Sequence, residues 1–209
     1  MKVTGIEEIS KSRSRVFIDG EFAFVLYKGE LRLYHILAGQ EIKEEDYNVI
    51  WNEVLPKRAK LRAMNLLKSR EYTTKQLYNK LKEGEYPERI IEIALDYVAG
   101  FHYTDDLRYA VDYISGHENT RSRRRIEQDL TGKGINRETM EKAWAEWEKQ
   151  GGSQDEQAMI RELLNKRKYN PADTDRKEQQ KLYGFLLRKG FSGEQVRRAL
   201  FLDDHGICD

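Results

Sequence analysis

Six apolar or aromatic positions of this chain recur three times at fixed offsets. Leu77, Ile126 and Leu182 form the first triple, and Leu81, Leu130 and Leu186 the second. Tyr86, Ile135 and Phe191 follow, then Ile91, Met140 and Val196, then Ala94, Ala143 and Ala199, and last Leu95, Trp144 and Leu200. Every triple keeps the same offsets, 49 residues and then 56. Six apolar matches in one register mark an internal duplication, and a period of this size means stacked supersecondary units. Within a unit the spacings describe two helices joined by a tight turn. Gly134 and Gly190 mark that turn in units two and three, as glycine does after a helix; Glu85 stands there in unit one, with Gly84 before it.

Each unit carries a further helical stretch upstream, at about 58–70, 105–118 and 154–168. Thr73 with Gln76, Ser153 with Glu156 and Ser192 with Gln195 have the residue pattern of a capping box. Pro87 falls in the first turn of its helix, where a missing N–H is harmless. The expectation is a mainly α chain of three tandem three-helix modules, 57–103, 104–152 and 153–202, with a flexible tail at 203–209.

The first 55 residues read differently. Arg15 to Val25 places Asp19-Gly20 between two β-rich runs, a strong hairpin signal because both turn residues need positive φ. Val3 to Ile9 supplies a candidate third strand. Glu44 to Leu55 has helical spacing, and Pro56 is expected to end it. A small β-containing cap over 1–55 follows, and this boundary predicts that residues 57–202 fold without it.

Composition narrows the function. Charged residues make up 35% and hydrophobic residues 39% of the 209, which suits repeat units that contact mainly their neighbours. No apolar run reaches the roughly 18 residues of a membrane span. The start, Met1 to Gly5, meets Glu7 and Glu8 and lacks the apolar stretch of a secretion signal. Cys208 is the single cysteine, so no internal disulfide forms, and a reducing cytoplasm is expected. The net charge is +1: residues 1–55 hold 7 basic and 10 acidic side chains, and 56–209 hold 30 and 26. A nonspecific DNA coat is far more basic, because its affinity comes from phosphate neutralisation. Any nucleic-acid contact must therefore come from local clusters.

Two clusters stand out. Arg121, Arg123, Arg124 and Arg125 open the first helix of the repeated pair in module two, where cations oppose the macrodipole. That local cost points to an anionic partner, against the alternative of a solvated charged face. Arg121 and Arg125 share a face; Arg125, beside the core residue Ile126, is expected near the core boundary, and the other three arginines are expected to fan outward. Lys133 lies in the following turn. Arg188, Lys189, Arg197 and Arg198 flank the last turn; Arg188 and Lys189 end a helix, where cations are favourable, so the solvated reading is stronger.

The other chemistry-bearing residues have plainer explanations. Asp105 and Asp106 fit a helix cap and a first-turn anion better than a metal pair. His35, His102, His117 and His205 lack ligand spacing. There is no phosphate-cradling glycine loop and no nucleophile in a recognisable context. Trp144 occupies a repeated core slot; for Trp147, burial competes with an exposed, partner-binding role. No metal, cofactor or catalytic residue is expected.

The chain resembles the RecX family over about residues 60 to 201. The resemblance rests on the tandem three-helix repeats, on the turns Arg188-Lys189-Gly190-Phe191-Ser192 and Gly132-Lys133-Gly134-Ile135, and on the linker Gly100 to Ala110. Phe17 to Ala23 looks like the N-terminal extension of members from Gram-positive bacteria. The chain departs from the family pattern at Gly84-Glu85-Tyr86 and at His102-Tyr103. The resemblance implies a non-enzymatic, monomeric cytoplasmic regulator that binds and restrains the RecA filament on single-stranded DNA, in DNA recombination, repair and the SOS response. The basic clusters would then meet RecA or DNA, with direct DNA contact secondary and no membrane. A rival reading is a direct DNA-binding regulator with helix-turn-helix-like modules; Glu127, Asp129, Glu138 and Glu141 dilute its basic patch.

Overall fold

A computed structural model of the chain describes residues 1–200. The tail expected at 203–209, with Cys208 and His205, lies outside them. The fold is mainly α, with eleven α-helices and one three-stranded sheet among the described residues. The chain divides into two compact units, Met1–Asp105 and Asp106–Asp209.

The first unit opens with β1 (Val3–Glu8), β2 (Arg13–Ile18) and β3 (Glu21–Tyr27), antiparallel in the order β1-β2-β3. Asp19 (φ 51°) and Gly20 (φ 93°) form the two-residue turn that the sequence predicts. Along β2 burial alternates strictly, with Ser14, Val16 and Ile18 inward. After α1 (Lys28–Leu33) comes α2 (Glu44–Val49), and here the chain departs from expectation. Pro56 does not end this helix. The path continues through a π turn, Ile50–Val54, into α3 (Leu55–Leu67). Proline has no N–H to donate, and its ring excludes the carbonyl four residues back; one wider turn accommodates both without breaking the helix.

The N-terminal segment is also not a separate layer. Val3, Val16, Phe24 and Leu26 from the sheet share one core with Ile50, Leu55, Ala59, Leu77, Leu81, Ile91 and Val98. The rings of Tyr47 and Trp51 stack on each other, and both lie against Phe24. Helices α4 (Thr74–Lys82) and α5 (Glu88–Gly100) complete this unit.

The second unit contains α6 (Asp106–His117), α7 (Arg123–Gly132), α8 (Arg137–Lys149), α9 (Glu156–Lys166), α10 (Arg176–Arg188) and α11 (Gly193–Ala199). It has two apolar clusters. One centres on Ile126, Leu130 and Met140, the other on Leu182, Leu186 and Val196.

The repeat is realised atom for atom at the turns. Glu85, Gly134 and Gly190 all adopt left-handed φ, at 60°, 91° and 95°. In each case the next residue donates its N–H back to the same register position, Tyr86 to Leu81, Ile135 to Leu130 and Phe191 to Leu186. This is the bond that satisfies orphan carbonyls at a helix end. Leu77, Ile126 and Leu182 are all buried, as are Leu81, Leu130 and Leu186. Duplicated sequence positions thus occupy duplicated environments.

Two capping boxes form as expected, at Thr73 with Gln76 and at Ser192 with Gln195. The third, Ser153 with Glu156, does not. Asp155 caps α9 instead, accepting from the Ala158 N–H at 2.9 Å. Glu156 is thereby free to reach another helix.

A cation-lined groove between two modules of the second unit

The groove begins with a residue whose role the sequence does not announce. Ser122 caps α7, its Oγ accepting from the Arg125 N–H at 3.3 Å. The same hydroxyl donates to the Lys189 carbonyl at 2.9 Å, and the side chain is fully buried. Gly190 lies directly against it. A Cβ there would collide with Ser122 Oγ and stand 3.2 Å from the Arg125 backbone nitrogen. The turn after α10 is therefore held against the start of α7.

Other polar contacts fix the same junction. Glu156 Oε1 accepts from the Arg123 N–H at 2.7 Å. The Gln154 amide donates to the carbonyls of Glu118 and Arg121, both at 2.7 Å. Trp147 is buried, as one of its two readings held, and its Nε1–H donates to Glu118 at 2.8 Å. Trp144 is buried as well, in its repeated slot.

This packing brings Arg121 and Arg125 beside Arg188 and Lys189. Together with Gly116, His117, Thr120 and Phe185 they line a groove of about 770 Å³. Four lining residues are cations and none is a carboxylate. Phe185 adds an aromatic wall, over which Arg167 lies at 3.9 Å and Lys189 at 5.7 Å from the ring centroid.

The arginines are not equivalent. Arg121 turns back onto the protein, contrary to the expected outward fan: it donates to Asp129 at 2.6 Å and to the Tyr113 hydroxyl at 2.5 Å. Arg125 reaches the other oxygen of Asp129 at 3.2 Å, so one carboxylate anchors both. Burial pushes the Tyr113 phenol up, keeping it protonated at neutral pH. Lys133 lies 5.2 Å from the same ring. Arg123 is largely neutralised, with Glu127 at 3.2 Å and Glu148 at 3.6 Å, and it covers Trp144 at 4.3 Å. Arg124 is exposed and makes no ion pair among the described residues.

Of the second cluster, Arg188 and Lys189 enter the groove, while Arg197 and Arg198 do not line it. Arg197 donates to the Tyr183 hydroxyl at 3.4 Å, and Arg198 pairs with Glu194 at 3.1 Å one turn back. The local cost of four arginines at a helix start is thus partly offset inside the chain. Glu156 sits at the N-terminus of α7, Asp129 and Glu127 one turn on. Ser122 carries a cap signal, Asp129 lies one turn after Arg125 and Glu156 reads as half of a capping box, but no spacing in the sequence joins Tyr113 to Arg121 or Glu156 to α7.

No group of three or more His, Cys, Asp or Glu is arranged to hold a metal ion among the described residues. No helix among them is long and apolar enough to cross a membrane.

Comparison with known proteins accounts for the modular plan. The family descriptions of the first, second and third three-helix domains of RecX match residues 59–97, 105–143 and 154–200. The chain is 32% identical over 198 residues to the regulatory protein RecX of Caldanaerobacter subterraneus subsp. tengcongensis, covering 94% of this chain and 96% of that one. It is 29% identical to the regulatory protein RecX of Clostridioides difficile, over 95% of this chain and 93% of the other. A crystal structure of a regulatory protein RecX superposes with a TM-score of 0.61 at 27% identity, covering 97% and 99% of the two chains. With the triple register, the shared turns and matches along nearly its whole length, this chain belongs to the RecX family of regulatory proteins.

Proposed function

We propose that this protein regulates the RecA recombinase filament on single-stranded DNA, restraining it by binding without chemistry of its own. The observation that carries the reading is the groove bearing Arg121, Arg125, Arg188 and Lys189 with no carboxylate in its lining. It suits an anionic surface, on a filament protomer or on the strand the filament carries. Two modules build it jointly, so a ligand seated there contacts both at once. Lys133 adds a cation beside it, over the Tyr113 ring that Arg121 also meets, and Arg124 offers an exposed charge on the same helix as Arg125. The protein acts as a monomer in the cytoplasm. Binding one filament state more tightly than the others shifts the population toward it, and this is how a purely binding protein regulates.

Cosedimentation with preformed RecA filaments, beside naked single-stranded DNA at physiological salt, tests this. The expected result is retention on filaments well beyond retention on naked DNA. Charge reversal at Arg188 and Lys189 should weaken filament binding by roughly tenfold or more, since 1.4 kcal/mol is tenfold. Unchanged retention of that variant would remove the groove from the reading.

A second reading, direct DNA binding, draws on the same groove. Phosphate contacts leave a signature: each one lost flattens the log–log salt dependence by about 0.7 on single strands. Equal retention on naked DNA with that slope favours this alternative.

A further inference from the structure

The first unit holds another cluster of cations, assembled from a strand that lies outside the repeat and two helices of the first module. Arg13 comes from β2, Arg58 and Arg62 from one face of α3, and Lys80 from α4. With Tyr27 and Tyr86 they enclose a cleft of about 410 Å³. Ligand clefts commonly measure about 300–1,000 Å³, but are mostly apolar. This one is dominated by charge.

Its charges are unevenly satisfied. Glu83 is the one carboxylate in the lining, and Lys80 holds it at 2.7 Å. Arg58 is fixed as a wall: it donates to Glu30 at 2.6 Å and to the Val25 carbonyl at 2.5 Å. Its guanidinium lies 4.9 Å from the centroid of Tyr27 and 5.7 Å from that of Tyr86. The Nε–H of Arg58 is buried with no hydrogen-bond partner. The side chains of Arg13 and Arg62 make no hydrogen bond or ion pair among the described residues, although the charge of Arg13 also acts on Glu85 nearby. Burial raises the Tyr86 phenol, so it remains a donor at neutral pH. A Cβ at Gly84 would come within 3.1 Å of both the Tyr86 ring and the Leu81 carbonyl, so the turn packs closely on this wall.

We propose that this cleft between the sheet, α3 and α4 is a binding site for phosphate groups, with Arg13 and Arg62 as its principal ligands and Arg58 and the two tyrosines as its walls. Three guanidiniums, an ammonium and two phenols offer donors from several directions. A tetrahedral phosphate group, whose oxygens point in several directions, meets such an array better than a planar carboxylate. Guanidinium forks bind phosphate oxygens in pairs. The phosphate belongs either to a nucleic-acid strand or to a free phosphate ester, and the two are separable by experiment.

The test uses the full chain and follows its arginine Nε–H signals by NMR. Pyrophosphate is one probe, a short oligothymidylate the other, and a glutamate peptide of matched charge the control. Saturable shifts at Arg13, Arg58 and Arg62 with a phosphate probe are expected. A lower half-saturation with the oligonucleotide identifies the strand as source, and a response to pyrophosphate alone identifies a free ester. Because the signals are residue-specific, occupancy of the groove in the second unit is read separately. The variant R13A/R62A should bind the responding probe about tenfold more weakly or worse, since each charge-assisted bond is a strong one. Should it fold poorly by near-UV circular dichroism, Arg62→Gln alone should show the same direction. No shift at these arginines at millimolar probe, undiminished binding by the folded variants, or tighter binding of the glutamate peptide would overturn the proposal.

Discussion

Arg15 on the N-terminal sheet and Glu85 in the first repeated turn lie 70 positions apart and form a forked pair, Nε to Oε2 at 2.6 Å and Nη2 to Oε1 at 2.7 Å. Glu85 occupies the register position that is glycine in the other two modules, and it carries φ 60° there. A non-glycine residue in that region is strained. The ion pair supplies a reason for tolerating it, because only a side chain can clasp the sheet.

This pair makes stability depend on pH in a definite direction. The hydrogen bonds from Arg15 hold the Glu85 carboxyl below its ordinary value; burial opposes them, and the charges of Arg15 and Arg13 add smaller attractions. A depressed folded-state carboxyl contributes stability that is present above the unfolded value of about 4.3 and lost as pH falls through the folded one. The melting temperature of wild type should therefore exceed that of Glu85→Gln at neutral pH, and the gap should close on acidification below about pH 4. A gap independent of pH would mean that the fork does not form in solution.

Leu130→Ala and Leu186→Ala remove equivalent, fully buried side chains from two modules. Each should cost about 2–5 kcal/mol in urea unfolding, as large-to-small core changes do. Losses below about 0.5 kcal/mol would place these positions in contact with solvent.

Gly134 and Gly190 permit a cleaner comparison. Their backbone angles are nearly the same, and a Cβ at Gly190 would in addition meet Ser122 Oγ and the Arg125 backbone nitrogen. Gly134→Ala should cost about 1–2 kcal/mol for the left-handed conformation it shares with Gly190. Gly190→Ala should cost roughly 1–3 kcal/mol more, through overpacking. Equal costs would mean that the last turn does not pack on the cap of α7.

Deleting residues 1–56 strips Val16, Phe24 and Leu26 from the core they share with α3, α4 and α5. The remaining chain should lose near-UV circular dichroism from the first module and melt with reduced cooperativity. A fragment starting at Lys57 with a wild-type melting profile would restore the independent boundary expected from the sequence.

Arg121 and Arg188 should behave differently when reversed to glutamate. Arg188 is exposed, and its reversal should leave the melting temperature within a degree or two while weakening filament binding. Arg121→Glu places a second carboxylate beside Asp129 and Tyr113, and should lower the melting temperature measurably in differential scanning calorimetry. A combined change of Arg121 and Arg124 would therefore mix folding with binding.

Periodicity and turn chemistry determined much of this protein directly. The Asp19-Gly20 hairpin, the left-handed turns and the caps at Thr73 and Ser192 follow from residues only a few positions apart, because backbone sterics and local hydrogen bonds decide them, and the three repeats follow from the recurrence of those local patterns. The family resemblance was legible for the same reason, since it resides in the order and spacing of those local signals. What tertiary structure alone decided are the relations between distant residues. Pro56 looks like a stop, yet a π turn carries the helix through it, and packing of Ile50 and Leu55 into the shared core favours that path. Glu156 looks like half of a capping box, yet its carboxylate serves α7 in the preceding module. Arg121 and Arg125 read as a basic run, but Asp129 anchors both, and Arg188 and Lys189 join them only because Ser122 binds the Lys189 carbonyl from 67 positions away. Hydrogen-bond partners over such separations leave no period in the sequence, so the groove becomes visible only when the modules are packed.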